Sequence, residues 1–294
     1  MSVTPAPSTY GHSVGGQTWG LPEQASALAR TLRAMRVVSV LSLKGGVGKT
    51  SVTLGLAGAA QARGLRCLVV DLDPQANATV VLDPTNVEFT ANDVLADGRA
   101  GILSQAVVAS RWGDGIALVA SERALEHRAI PEGDGNVRLR ITMQGIEDYD
   151  MVLLDTPPAL GELTRNALTA SDLALVVTEP SLFALQGAQQ ALESIDVVRS
   201  YNLRLQVAGI AVNRVRPTSS EHRYRMAELA LAYGDLLLQP PLPDRAVVQQ
   251  AAGACTPVQQ WRSQAGREVS RILDGYLDRL LSVSLESGPL RSVH

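Results

Sequence analysis

An apolar run over residues 37–43 passes directly into Lys44-Gly45-Gly46-Val47-Gly48-Lys49-Thr50, and a helix-forming stretch rich in Ala and Leu follows. Strand, glycine loop and helix in that order confine the chain more than any other feature. Three glycines within four positions let the main chain curl until successive N–H groups converge. The N-terminus of the following helix adds its partial positive charge at the same place. Such a concavity accepts phosphate. Lys49 is then a point charge for β- and γ-phosphates, and Thr50 is a hydroxyl ligand for Mg2+. The alternative is a glycine-rich turn with no ligand, and the intact Gly-Lys-Thr order weighs against it.

Of the 26 basic residues only two are lysine, and both sit in this loop. A bias towards arginine thins lysine everywhere. Lysines that persist mark places where a compact, flexible charge cannot be exchanged for a planar guanidinium.

Further short apolar runs, at 67–73, 116–120, 151–155, 173–180, 207–213 and 236–243, alternate with helical stretches. Several are apolar at consecutive positions, as strands covered on both faces are. The pattern predicts an α/β fold, a doubly wound, mostly parallel sheet flanked by helices. Ligands of such sheets bind beyond the C-terminal strand ends. There fall Lys44 to Thr50, Asp71, Asp73, Asp155, Asn213 and Pro243. We read the domain as 36–285, preceded by a flexible tail (1–20) and a short amphipathic helix (21–35), and followed by a tail over 286–294. A helix over 263–285 carries the stripe Val269, Ile272, Leu273, Tyr276, Leu277, Leu280 and Leu281. Asp274 and Asp278 beside that stripe suit core packing better than an anionic membrane.

Composition excludes several classes. With 46% hydrophobic and 19% charged residues the chain is globular. No apolar run approaches the roughly 18 residues of a membrane span, and residues 1–20 lack the charged start and apolar core of a secretory signal. Cys67 and Cys255 make neither a disulfide framework nor a metal cluster. A cytoplasmic protein is expected. The net charge of −3 says little about nucleic acid, because a local basic patch matters more than the total.

The strict phosphate-loop pattern would place Gly at position 43. Here Leu43 stands there, beside the additional Lys44. The loop resembles the deviant Walker A motif, Lys-Gly-Gly-x-Gly-Lys-Ser/Thr, of the ParA/MinD class of P-loop ATPases. The resemblance implies ATP and Mg2+ as ligands and a homodimer closed by ATP. Gly45, Gly46, Val47, Gly48, Thr50 and Ser51 would cradle the phosphates. Lys49 would serve the chain's own nucleotide, and Lys44 would reach the partner's. Asp71-Leu72-Asp73-Pro74-Gln75-Ala76-Asn77-Ala78-Thr79 resembles the family's switch I, with Ala76 where many members have Gly. Period-two spacing puts both carboxylates on one face of the strand end. The resemblance gives Asp73 the attacking water and Asp71 the Mg2+ shell. The run ending in Asp155, followed by Thr156-Pro157-Pro158, matches a Walker B strand whose acid holds Mg2+. Asn213 and Pro243 match the family's adenine pocket.

Within the class, Leu43 and the lack of a basic terminal helix favour the partition branch, which moves plasmid or chromosomal DNA. The alternatives are a MinD-like membrane-associated positioning ATPase, a partition-like ATPase for a non-DNA cargo, and a nucleotide-binding regulator without useful hydrolysis. The partition branch implies nonspecific DNA binding by the ATP dimer at the nucleoid and no membrane partner. It also implies slow hydrolysis that a centromere-binding, ParB-like adaptor stimulates. Arg214, Arg216, Arg223 and Arg225 are the candidate DNA contacts, able to grip phosphates without reading bases. Thr218-Ser219-Ser220-Glu221 reads as a capping box that starts a helix beneath them. A solvated arginine face is the alternative, and Glu221 and Glu228 interrupt the patch.

Overall fold

The computed structural model describes residues 35–129 and 135–285. The expected tails at 1–20 and 286–294, and the expected helix over 21–35 apart from Met35, lie outside the described residues.

Six of the apolar runs pair, together with one short further strand, into a seven-stranded sheet, formed by β1 (Arg36–Leu41), β2 (Cys67–Asp71), β3 (Val107–Ala109), β4 (Ile116–Val119), β5 (Met151–Asp155), β6 (Leu173–Thr178) and β7 (Gln206–Val212). Their order is β3-β4-β2-β5-β1-β6-β7, parallel except where β3 runs against β4. Consecutive apolar residues become strands buried on both faces: β2, β5 and β6 are buried at every position. The covering helices are α1 (Lys49–Ala62), α2 (Asn77–Leu82), α3 (Ala91–Asp97), α4 (Arg138–Thr142), α5 (Glu162–Ala170), α6 (Ala184–Arg199), α7 (Ser220–Tyr233), α8 (Ala246–Gly253) and α9 (Gln264–Ser282).

Strand residues divide by parity. Val38, Val40, Val69 and Leu153 meet α1 and α9 through Val52, Leu56, Leu273 and Leu277. Val37, Leu68, Val70 and Leu154 meet α3, α4 and α5 through Leu95, Leu139 and Leu163. Further along the same face, Val176, Ile210 and Val212 meet α6 and α7 through Ala188, Ile195 and Leu229. β2, β3, β4 and β5 lie on one side of β1, with β6 and β7 on the other. The chain therefore changes direction at β1, and the crevice beyond its C-terminal end is where such a sheet binds ligands.

The stripe on α9 is core. Val269, Ile272, Leu273, Tyr276, Leu277 and Leu280 are all buried, and Arg63 at the end of α1 reaches both Asp274 and Asp278 at 2.5 Å. No helix among the described residues is long and apolar enough to cross a membrane.

Three local expectations are corrected. The run 236–243 is not a strand. It makes only isolated parallel bridges, Ile210 with Leu237 and Val215 with Pro243. Pro240, Pro241 and Pro243 have no N–H with which to extend a ladder. The edge strand β3, which the apolar runs did not reveal, is three residues long, too short for its alternation to show. The capping box at 218–221 does not form. α7 is capped one residue later, by Ser219 Oγ accepting the His222 N–H at 3.3 Å, while Glu221 pairs with Arg225.

α1 approaches α9 closely because Gly55 has no side chain. A Cβ there would lie 2.6 Å from Leu273 Cδ1. Gly55→Ala is therefore expected to lower the denaturant-unfolding free energy by about 1–3 kcal/mol through overpacking. Leu273→Ala added to it should recover part of that loss.

Candidate functional site

β1 ends at Leu41, and Ser42 Oγ then accepts the Lys44 N–H at 3.2 Å, starting the glycine turn. Gly46 (φ 81°) and Gly48 (φ 91°) take left-handed backbone, which glycine adopts without strain. Space also restricts position 48, where a Cβ would lie 2.2 Å from Asn213 Nδ2. Asn213, at the end of β7, donates that Nδ2 to the Val47 carbonyl at 2.8 Å. Its neighbour Arg214, held at φ 57°, donates Nη1 to the Gly46 carbonyl. The end of β7 thus straps the loop, leaving its N–H groups for a ligand.

A cleft of about 530 Å3 opens over this loop. It is lined by Gly45, Gly46, Gly48, Lys49, Thr50 and Ser51 of the loop, by Asp73, Gln75 and Asn77, and by Asn213, Arg214 and Pro243. Apolar side chains, among them Val80, Trp112 and Leu273, also line it. The two lysines part company. Lys49 lines the cleft and is 6% exposed, whereas Lys44 lies outside the lining and its Nζ meets Glu179.

Two carboxylates lie behind the loop. Asp71 and Asp155 are register partners on β2 and β5, and both are buried. Asp155 accepts Thr50 Oγ1 at 2.7 Å on one oxygen and Thr53 Oγ1 at 2.8 Å on the other. Asp71 accepts both the N–H and the hydroxyl of Thr79 at 2.8 Å, and the Asp73 N–H at 3.1 Å. Both carboxyl pKa values are raised, mainly by burial. The neighbouring Asp155 charge raises that of Asp71 further, while Lys49 and the threonine hydroxyls oppose the rise at Asp155. Buried acids beside a threonine hydroxyl, supplying only oxygen, fit a hard divalent cation such as Mg2+. The loop before them fits an anion.

Asp73 lies beyond the strand end, lines the cleft and accepts the Gln75 N–H at 3.0 Å. Ala76 is held at φ 54°, the left-handed region where glycine is at ease and an L side chain costs roughly 1–2 kcal/mol.

The expected site residues are brought together with three changes. Asp71 acts on the loop carrying Asp73, since that loop takes both its oxygens. Asn213 holds the phosphate loop while lining the cleft. Arg214 lines the cleft, its left-handed backbone accompanying the hydrogen bond from its side chain to the Gly46 carbonyl. Two of the remaining arginines are paired with carboxylates. Arg216 pairs with Asp244, Arg225 pairs with Glu221 and Glu228, and Arg223 meets the Pro217 carbonyl. Sequence reasoning missed Thr53 and Thr79, and also Ser121, whose hydroxyl donates to the Asp73 carbonyl at 2.8 Å. Thr53 carried a signal, because one helical turn separates it from Thr50 and puts both hydroxyls on one face.

A glycine cradle after β1 of a parallel sheet, with a hydroxyl–carboxylate pair behind it, defines a P-loop nucleotide-binding ATPase. A family model described as an AAA domain matches residues 35–207. Chromosome partitioning protein ParA of Caulobacter vibrioides is 32% identical over 231 residues, covering 76% of this chain and 86% of that protein. Cobyrinic acid a,c-diamide synthase from Mycobacterium smegmatis, solved with bound ADP and magnesium, is 28% identical with a TM-score of 0.65, covering 78% of this chain and 96% of that one. The ATP complex of Cyanothece McdA shares the fold, with a TM-score of 0.74 at 20% identity over 84% of this chain and 96% of its own. The chain belongs to the ParA family of DNA-partitioning ATPases.

The raised carboxyl pKa values carry a sign. Unfolded carboxyls titrate near pH 4. From there up to the raised native values, the folded chain binds more protons than the unfolded chain, so stability falls as pH rises. Nucleotide- and magnesium-free protein should lose unfolding free energy from about pH 4 towards neutrality through this pair. Denaturant titrations across that range should show a shallower fall for Asp155→Asn.

Proposed function

We propose that this ATPase closes into a homodimer around ATP and Mg2+, and that the dimer holds nonspecific DNA until a ParB-like adaptor triggers hydrolysis. The carrying observation is the division of the two lysines. Lys49 lines its own cleft, while Lys44 lies outside that lining and pairs with Glu179 on the rim, which supports a role for it towards a second copy.

The N–H groups of residues 45–51 and Lys49 would receive the phosphates, and Asn213 and Pro243 would border the base. Thr50 and Asp155 would hold Mg2+, with Asp71 behind them fixing the loop of Asp73. Bound Mg2+ would supply charge to neutralise the β- and γ-phosphate oxygens. Asp73 orients the water that attacks the γ-phosphorus, where the bond to the leaving ADP oxygen breaks. Unstimulated turnover is slow, because the second positive charge arrives only with another chain. DNA contact is by phosphates, so it weakens steeply with salt. Of the arginines expected there, Arg223 pairs with no carboxylate among the described residues and is our choice of contact. The protein would act in the cytoplasm, at the nucleoid when ATP-bound.

The deciding experiment is ATP-dependent retention on nonspecific DNA at low salt. Lys49→Ala should lose nucleotide affinity at least about tenfold, the weight of one charged contact to phosphate. Lys44→Ala should keep nucleotide affinity and lose dimerisation and DNA retention. Asp73→Ala should dimerise but hydrolyse about 100-fold more slowly. DNA retention by Lys44→Ala equal to that of the wild type would refute the reading, and ATP-dependent pelleting with liposomes instead of DNA would favour a membrane partner.

A further inference from the structure

β1 and β6 are neighbours in the sheet, with Leu41 opposite Val176, so the segments leaving them emerge side by side on the rim. Lys44 stands three residues past β1 and Glu179 one residue past β6. Their side chains meet there, Nζ to Oε1 at 2.5 Å, with Lys44 51% and Glu179 22% exposed. The pair has a firm base. Ser42 Oγ bonds the main chain of Lys44 on both its N–H and its carbonyl, and Leu43 packs against the core layer beneath α6. A side chain so rooted can swing at its tip while its origin stays fixed.

We propose that Glu179 is the holding residue for Lys44. In the single chain its carboxylate neutralises the lysine, and on closure of two chains the lysine exchanges that carboxylate for the phosphates of the second copy. The proposal rests on the dimer reading above. An ion pair this exposed is weak, so the exchange biases dimerisation without blocking it. The competition also depends on the nucleotide. A terminal phosphate offers Lys44 more negative charge than one carboxylate, whereas ADP lacks that group. Glu179 thereby helps the chain to close on ATP and to stay open on ADP. It acts through Lys44 and touches no substrate atom in its own chain, so it is a positioning residue.

The experiment is sedimentation of the full chain with Mg2+ and either a non-hydrolysable ATP analogue or ADP. It compares wild type, Glu179→Gln, Lys44→Ala and the double variant, with unfolding midpoints recorded for each. Glu179→Gln should dimerise about 3- to 5-fold more tightly with the analogue, as loss of an exposed pair allows. With ADP, which lacks the phosphate that receives Lys44, the same variant should gain no more than that factor over the wild type. In the Lys44→Ala background the substitution should change nothing. Glu179→Asp, which keeps the charge on a shorter arm, should fall between wild type and Glu179→Gln and serves if the glutamine variant is unstable. Unchanged or weaker dimerisation of Glu179→Gln, or an equal gain without Lys44, overturns the holding role alone. A wild type that stays monomeric with the analogue overturns the dimer reading and the holding role with it.

Discussion

Burying one carboxylate is costly, and burying two on adjacent strands costs more, because a charged neighbour raises a carboxyl pKa further. Asp71 and Asp155 are such a pair, in register across β2 and β5. What surrounds them can be understood as the means of tolerating them. Thr50 and Thr53 donate to Asp155 from the first turns of α1, Thr79 donates twice to Asp71, and Lys49 supplies positive charge nearby. These are hydrogen bonds to charged acceptors, stronger than neutral ones. They also tie the start of α1 and the segment carrying Asp73 to one point in the core. A cation placed there would complete the neutralisation, so the arrangement links folding of the site to filling of it.

The same parallel sheet that creates the problem distributes its answers. All strands but β3 run one way, so the ends of β1, β2, β5, β6 and β7 deliver their following residues to one rim. Each strand contributes something different there: a glycine loop, a switch segment, an acid, Glu179, and the Asn213–Arg214 strap. The strap shows how closely these contributions depend on each other. Gly48 can adopt its left-handed turn because it has no Cβ, and the space so left is taken by the Asn213 amide that supports Val47.

Much of this was legible in the amino acids. Strands buried on both faces show as consecutive apolar residues, and a glycine loop between strand and helix has few other physical readings. Asp155 was readable because it terminates such a run. Legibility failed where an outcome depended on tertiary partners. The run 236–243 is as apolar as a strand, but its prolines decide against a ladder. The arginines between 214 and 225 form one cluster in sequence, while in space Asp244, Glu221 and Glu228 claim two of them and left-handed backbone removes a third to the cleft. Glu179 gave no local signal. Its relation to Lys44 exists only because β1 and β6 lie side by side.

The two lysines illustrate how identical chemistry can be given separate duties by burial alone. Lys49 begins a helix and is enclosed, so its charge belongs to whatever fills the cleft. Lys44 stands on the rim at the other end of the same loop, where its charge is paired only weakly and only with a side chain of its own fold. In the proposed dimer the enclosed charge would answer to the chain's own nucleotide, and the exchangeable one to that of the second copy. Coupling of this kind needs no long-range deformation of the sheet. It would need a phosphate of the second copy to receive Lys44, and a competitor, Glu179, weak enough to give way to it.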